Sequence, residues 1–429
     1  MAWVFFGLCV FGAWLTFNAF RPSSRWQLLG FSFFAAWLTG ELAIWTIVLQ
    51  LTGTLVFAAL GVFDHWIAWV GLGIAVLSWA GMLVLAAISR RSGLAFDTAL
   101  TDVVSLDPPD QLKEARVVHS VFPFLLHDRQ VERIKNLRYG DAGKRNMLDI
   151  YRPRGAERGK PAPVLLQIHG GAWVIGDKSQ QGLPLMLRMA KKGWVCVAIN
   201  YRLSPKATWP EHLVDCKRAL AWVREHIAEY GGDHDLICVT GGSAGGHLAT
   251  MTALTVNEAE YQPGFEAADT SVSACVPFYG IYDFLGLRAG TTDRAMRLLS
   301  KWVFKADPDE DLAPFEDASP IHHVREDAPP FFVIHGTTDN LAPVAQARRF
   351  VETLRQVSDE PVLYAELPGA SHAFDVFYST RTGSAIRAVD RFLAWIVDRE
   401  RPDTPDRAPE DVGLAPAMEP VPAPRVEAS

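Results

Sequence analysis

The hydrophobic pattern divides the chain near residue 91. Before it lie three long apolar runs with few charges. Residues 2–20 end at Arg21-Pro22, Leu28 to Phe63 form a second run, and residues 66–88 end at Arg90-Arg91. The first and third are each long enough to cross a bilayer, for which about 20 residues suffice. The second is too long for one upright span and too short for two with a loop, so it reads as one tilted or kinked helix whose excess lies at an interface. The first run has neither the basic start nor the small-residue cleavage site of a signal peptide. Residues 1–91 therefore read as three membrane helices. Glu41 lies inside the middle run, where a carboxylate must be paired, face other helices or sit near the surface.

Residues 92–132 are mixed in character, broken by Asp107-Pro108-Pro109, and read as a connector with amphipathic pieces that could pack over the next domain. From 133 to 400 the pattern becomes short apolar runs alternating with longer amphipathic ones. Strands are expected at Ile134–Tyr139, Met147–Tyr151, Val164–His169, Val195–Asn200, Leu236–Val239, Val272–Phe278, Phe331–His335 and Val362–Leu367. Helices are expected near Gln181–Lys192, Pro210–Tyr230, His247–Val256, Val344–Val357 and Gly383–Arg399. Two opening strands and then repeated β-α units give an α/β fold with a mostly parallel, doubly wound sheet. The interval 283–325 interrupts that rhythm and reads as a cap above the strand ends, where such sheets bind ligands. Residues 401–429 hold seven prolines and no aromatic residue and read as disordered.

Composition adds three limits. A formal charge of -7 excludes a nucleic-acid binder of the usual basic kind. Seven of the fourteen tryptophans precede residue 70, which reinforces the membrane reading. The five cysteines have no paired or metal-type spacing, so neither a disulfide framework nor a zinc site is indicated, and a reducing compartment fits.

The chemistry concentrates at Gly241-Gly242-Ser243-Ala244-Gly245, between an expected strand and an expected helix. A serine on so sharp a turn is an exposed nucleophile, and only very small neighbours avoid clashing with it. The spacings of dinucleotide-binding and P-loop glycine motifs are missing. A serine needs a base, and the base a carboxylate. In hydrolase sheets the order along the chain is Ser, acid, His. Asp339 comes after the strand at Phe331, with Asp283 as its substitute, and His372 alone of the twelve histidines lies beyond Asp339. His169-Gly170-Gly171-Ala172-Trp173 comes after another strand, and the backbone N–H groups of Gly170 and Gly171, with that of Ala244, could meet a developing oxyanion.

Taken in one order, HGGAW, YRLSP (Tyr201 to Pro205), GGSAGG, HGTTDNLAP and GASHAF resemble the α/β-hydrolase superfamily and, within it, the bacterial hormone-sensitive-lipase-like esterases, over roughly residues 133–400. The resemblance implies Ser243 as nucleophile, Asp339 as acid, His372 as base and Gly170, Gly171 and Ala244 as oxyanion donors, with no metal or cofactor. It departs at Ala172, where the family usually has a third glycine, and at Gly242, where it usually has an acidic residue. The expected protein is a membrane-anchored serine carboxylesterase acting on short to medium, lipophilic acyl esters. The same triad would serve an amidase or formamidase, and a hydrolase-shaped receptor would lack the histidine. Arg21, Arg25, Arg90 and Arg91 fall on one side of three spans and put the catalytic part in the cytoplasm by the positive-inside bias. Residues from about Ser92 onward are expected to hydrolyse a soluble ester on their own.

Overall fold

A computed structural model of the chain describes residues 1–101, 103, 122–155, 161–290 and 293–402. Residues 102 and 104–121 of the expected connector, and residues 403–429 of the expected disordered tail, lie outside the described residues.

Among the described residues one eight-stranded sheet forms, in the order β1-β2-β4-β3-β5-β6-β7-β8. Its strands are β1 (Val131–Arg138), β2 (Met147–Pro153), β3 (Ala162–Ile168), β4 (Val195–Ile199), β5 (Gly232–Gly242), β6 (Ala274–Phe278), β7 (Phe331–Gly336) and β8 (Val362–Leu367). β2 runs antiparallel to β1 and β4, and the remaining pairs are parallel. β3, β4 and β6 are almost continuously apolar because both of their faces are covered.

The helices of this part are α5 (Leu183–Lys191), α6 (Glu211–His226), α7 (Ala244–Leu254), α8 (Phe284–Gly290), α9 (Asp293–Leu299), α10 (Ala313–Asp317), α11 (Val344–Val357) and α12 (Thr380–Glu400). One face of the sheet is closed by α6, α7 and α11 through Leu220, Leu248 and Phe350. The other is closed by α5 and α12 through Met186, Val389 and Phe392. The expected cap interval holds α8, α9, a π-helical turn and α10. Its Phe284 packs on Trp173 and on Phe304, at ring-centroid distances of 5.5 and 5.0 Å.

The amino-terminal part comprises α1 (Ala2–Phe20), α2 (Trp26–Glu41), α3 (Ala43–Ala59) and α4 (Trp66–Leu100). α1 and α4 run side by side in the same direction: Gly71 sits against Phe6, Thr16 bonds to Ser78 at 2.8 Å, and Ala19 clusters with Met82. α3 returns antiparallel between them, Ala43 near Ala19, Gln50 near Gly12, and Phe57 on Phe5 at 5.4 Å. α1 and α4 are long and apolar enough to cross a membrane, and the α2–α3 pair passes the same test as one broken span.

Two findings differ from the sequence expectation. The middle run is not a kinked helix but two helices meeting at 92° immediately after Glu41. No proline accounts for the break, which coincides with the pairing of Glu41 described below. Nor does the chain change element at residue 91. Arg90-Arg91 end the apolar run but not the helix, because Ser92, Phe96 and Leu100 continue as a buried stripe at i, i+4 and i+8. Phe96 meets Phe332 of β7 edge-on at 6.2 Å. α4, about 52 Å long at 1.5 Å per residue, therefore belongs both to the helical bundle and to the core of the sheet.

Candidate active site

Ser243 sits between the last residue of β5 and the first of α7 with φ 59° and ψ -123°, a strained conformation for a residue with a side chain. Its neighbours have no room for one. A Cβ on Gly245 would run into the carbonyl oxygen of Ile168, and one on Gly241 into that of Gly245. The turn is held by the Ser243 N–H donating to Phe278 O at 3.0 Å.

The other expected residues lie on loops at the same carboxyl edge of the sheet. Asp339 Oδ2 is 2.6 Å from His372 Nδ1. Asp339 Oδ1 accepts the N–H groups of Leu341 and Ala342 at 2.9 and 2.8 Å. Burial works to raise the Asp339 pKa, but the adjacent imidazoles of His372 and His335 outweigh it and hold the carboxyl well below its usual range. Asp283, the substitute, is engaged elsewhere: it pairs with Arg349 at 2.8 Å and accepts Gly286 N–H at 2.7 Å.

The loop after β3 carries strain at successive residues, with φ +123° at Gly171, +51° at Ala172 and +61° at Trp173. Ala172 thus holds a left-handed conformation that a third glycine would adopt without cost. The loop is braced from YRLSP: Tyr201 stacks on His169 at 4.4 Å and donates to its carbonyl at 3.0 Å, and Ser204 N–H donates to Trp173 O at 2.9 Å. Gly170 lies close against Ser243, where a Cβ would come within 3.1 Å of the serine Cβ. Its N–H, however, already donates to Gln181 Oε1 at 2.7 Å. As an oxyanion donor Gly170 therefore differs from the expectation, and Gly171 remains with Ala244, whose N–H at the first turn of α7 is not used by the helix.

Sequence reasoning missed four contributors. Gln181 is one. Tyr279 and Asp375 are a second and third: a Cβ at Gly242 would come within 2.8 Å of the Tyr279 hydroxyl, which donates to Asp375 Oδ1, while the Tyr279 ring lies 4.6 Å from that of His372. Asp375, three residues past the histidine, thus holds the Tyr279 hydroxyl beside Gly242. Burial shifts the Asp375 pKa upward. The fourth is α2. Phe33 meets the His372 ring edge-on at 6.1 Å, and Asn340, next to Asp339, donates to Ser23 O at 2.9 Å. Arg381 donates to Glu41 Oε1 at 2.6 Å and to Pro368 O at 3.1 Å, and Ser379 donates to Glu41 Oε2 at 2.8 Å. Only Glu41, a charge within an apolar run, signalled any of this.

With this geometry in hand, the chain can be set beside known proteins. Residues 148–354 match the BD-FAE family. The chain has the α/β-hydrolase fold and over these residues is similar to the BD-FAE family. Similar proteins include the "Probable carboxylic ester hydrolase LipM" of Mycobacterium tuberculosis, 54% identical over 259 residues, which are 60% of this chain and 60% of that protein. Esterase LipQ of the same organism is 47% identical over 273 residues, 64% of this chain and 65% of LipQ. The match thus spans less than two thirds of either relative. Among solved structures, the butyrate-bound Est2 esterase of Thermogutta terrifontis aligns with a TM-score of 0.53 at 25% identity, covering 62% of this chain and 95% of that one.

Three buried histidines of this hydrolase predict its acid stability. Burial pulls His169 and His247 down to about 4 and His212 to about 3. Each stays neutral when folded but takes a proton when unfolded, below the ordinary value of about 6.5. The unfolded state then binds more protons, so stability falls on acidification from about pH 6.5 to about 4, by up to roughly 1.4 kcal/mol per pH unit for each histidine. Thermal unfolding from pH 7.5 to 4.5 should show a midpoint that drops below pH 6.5. A flat midpoint across that range contradicts the account.

Proposed function

We propose that the chain is a membrane-embedded serine hydrolase of carboxylic esters. The observation that carries this reading is the strained Ser243 elbow on the same edge of the sheet as the 2.6 Å His372–Asp339 pair, and the names of LipM and LipQ, an ester hydrolase and an esterase, agree with it. Ser243 Oγ attacks the ester carbonyl while His372 Nε2 takes its proton. Asp339 holds the imidazole with Nδ1–H directed at the carboxylate and steadies the imidazolium. The carbonyl oxygen gains charge in front of the N–H groups of Gly171 and Ala244. His372 then protonates the departing alcohol, leaving an acyl-Ser243 ester, which water cleaves with His372 again as base. The test is hydrolysis of p-nitrophenyl esters together with labelling by a fluorophosphonate probe, which reacts only with an activated serine. A purified, folded full-length chain that does neither refutes the reading.

The alternation of α1, α3 and α4 supports three crossings, with α2 lying across their ends. Arg21, Arg25, Arg90 and Arg91 then fall on the side of the sheet, and the positive-inside bias makes that side cytoplasmic. GFP fused after Arg401 should be fluorescent and alkaline phosphatase fused there inactive. The reverse pair of results overturns the topology.

A further inference from the structure

α2 does more than join two crossing helices. Phe33 touches the catalytic imidazole and stacks on Trp37 at 5.7 Å with the rings 5° from parallel. Trp37 packs on Phe377 at 5.2 Å, and Phe377 on Phe124 at 5.0 Å. An unbroken row of aromatic rings thus leads from His372 to the surface. It emerges among exposed apolar side chains: Phe31 and Phe34 are each 55% exposed on α2, and Phe122 and Phe124 are 61% and 62% exposed beside it. Soluble proteins rarely leave so much contiguous apolar surface open to water.

The placement of this surface indicates its occupant. α2 starts at the end of α1, is fixed there by Ser32 bonding to Asn18 at 2.6 Å and to Ser23 N–H at 2.6 Å, and turns through 92° into α3. Its axis therefore lies across the ends of the crossing helices, the position of an interfacial helix. An ester held in a bilayer has its carbonyl near the headgroups and its acyl chain in hydrocarbon. Reaction at Ser243 requires the carbonyl to move to the elbow while the chain keeps apolar contact, and the aromatic row provides that contact.

We propose that α2 forms the acyl-chain wall of the active site, with Phe33 and Trp37 as specificity-determining residues, and that the substrate is a long-chain acyl ester drawn from the membrane along this helix. The proposal rests on the ester-hydrolase reading, extends it to the substrate class, and lengthens the acyl chain expected from the sequence.

The experiment uses the full chain in phosphatidylcholine nanodiscs and compares kcat/KM for p-nitrophenyl dodecanoate and p-nitrophenyl butyrate. Phe33→Ala and Trp37→Ala should each lower the dodecanoate-to-butyrate ratio at least tenfold. Phe33→Trp, which narrows the wall but keeps it apolar, should shift the ratio toward butyrate. Leu77→Ala, on an exposed part of α4 remote from the site, should leave the ratio within twofold of the unsubstituted protein. Fluorophosphonate labelling of each variant separates the possible failures. Labelled variants with an unchanged ratio overturn the acyl-chain wall alone, whereas an unlabelled parent protein overturns the hydrolase reading beneath it. If an alanine variant does not fold and label, the Phe33→Trp ratio decides the question.

Discussion

Ser243→Ala is expected to lower kcat on p-nitrophenyl butyrate by about 10⁵-fold or more, since losing the nucleophile of a triad costs nearly as much as losing the whole triad. Fluorophosphonate labelling should vanish with it. Stability should hold or rise slightly, because the substitution removes one oxygen from a half-buried position and leaves little cavity. The same strained turn stays occupied, so the strain is unaltered while the chemistry is lost. A variant retaining activity within tenfold of the parent would mean that another group attacks the ester, and the Ser243 assignment would be abandoned.

Glu41→Ala should be the most destabilising substitution in the amino-terminal part. The Glu41 and Arg381 side chains are 1% and 0% exposed, so removing the carboxylate strands a guanidinium whose remaining partner is Pro368 O. Breaking a buried pair on one side costs about 3–5 kcal/mol, while replacing both members by apolar residues of similar size is often neutral. The double variant Glu41→Leu with Arg381→Met should therefore regain most of what Glu41→Ala loses, as read from thermal unfolding of the full chain in detergent. Arg381 also steadies the loop entering His372, so Glu41→Ala should lower esterase activity as well. A single variant within about 1 kcal/mol of the parent would show that the two parts are held together by other contacts.

The same pair shows where the sequence was legible. Short apolar runs between polar or glycine-rich flanks mark buried strands, and the strand Val362–Leu367 and the amphipathic helix Val344–Val357 form with the very bounds expected. Ser243, Asp339 and His372 were expected in that order because each follows such a strand, and the structure brings His372 and Asp339 into contact. Glu41 was noticed as a charge in an apolar run, yet its partner lies 340 positions away on another element, beyond any local pattern. Phe33 and Trp37 were hidden for a different reason: in a run apolar on every face, periodicity cannot tell a side chain facing lipid from one facing a catalytic imidazole. Arg90-Arg91 misplaced a boundary, since charge ends a hydrophobic run without ending a helix. The Gly170 N–H donates to Gln181, a residue on a separate segment that no local pattern could have picked out.

The separation of Glu41 from Arg381 also fixes the order in which the protein can be completed during synthesis. A ribosome adding about 5–20 residues per second completes Glu41 roughly 20–70 seconds before Arg381 exists. Until then the carboxylate has no guanidinium to meet. α2 has no His372 to pack against in that interval either, and Phe96 at the end of α4 waits for Phe332. The stretch bearing His372 and Arg381 thus supplies both the partner of Asp339 and the contacts that hold α2. The His372–Asp339 pair and the contacts of α2 with the sheet can therefore form only once residues 372–381 have been made.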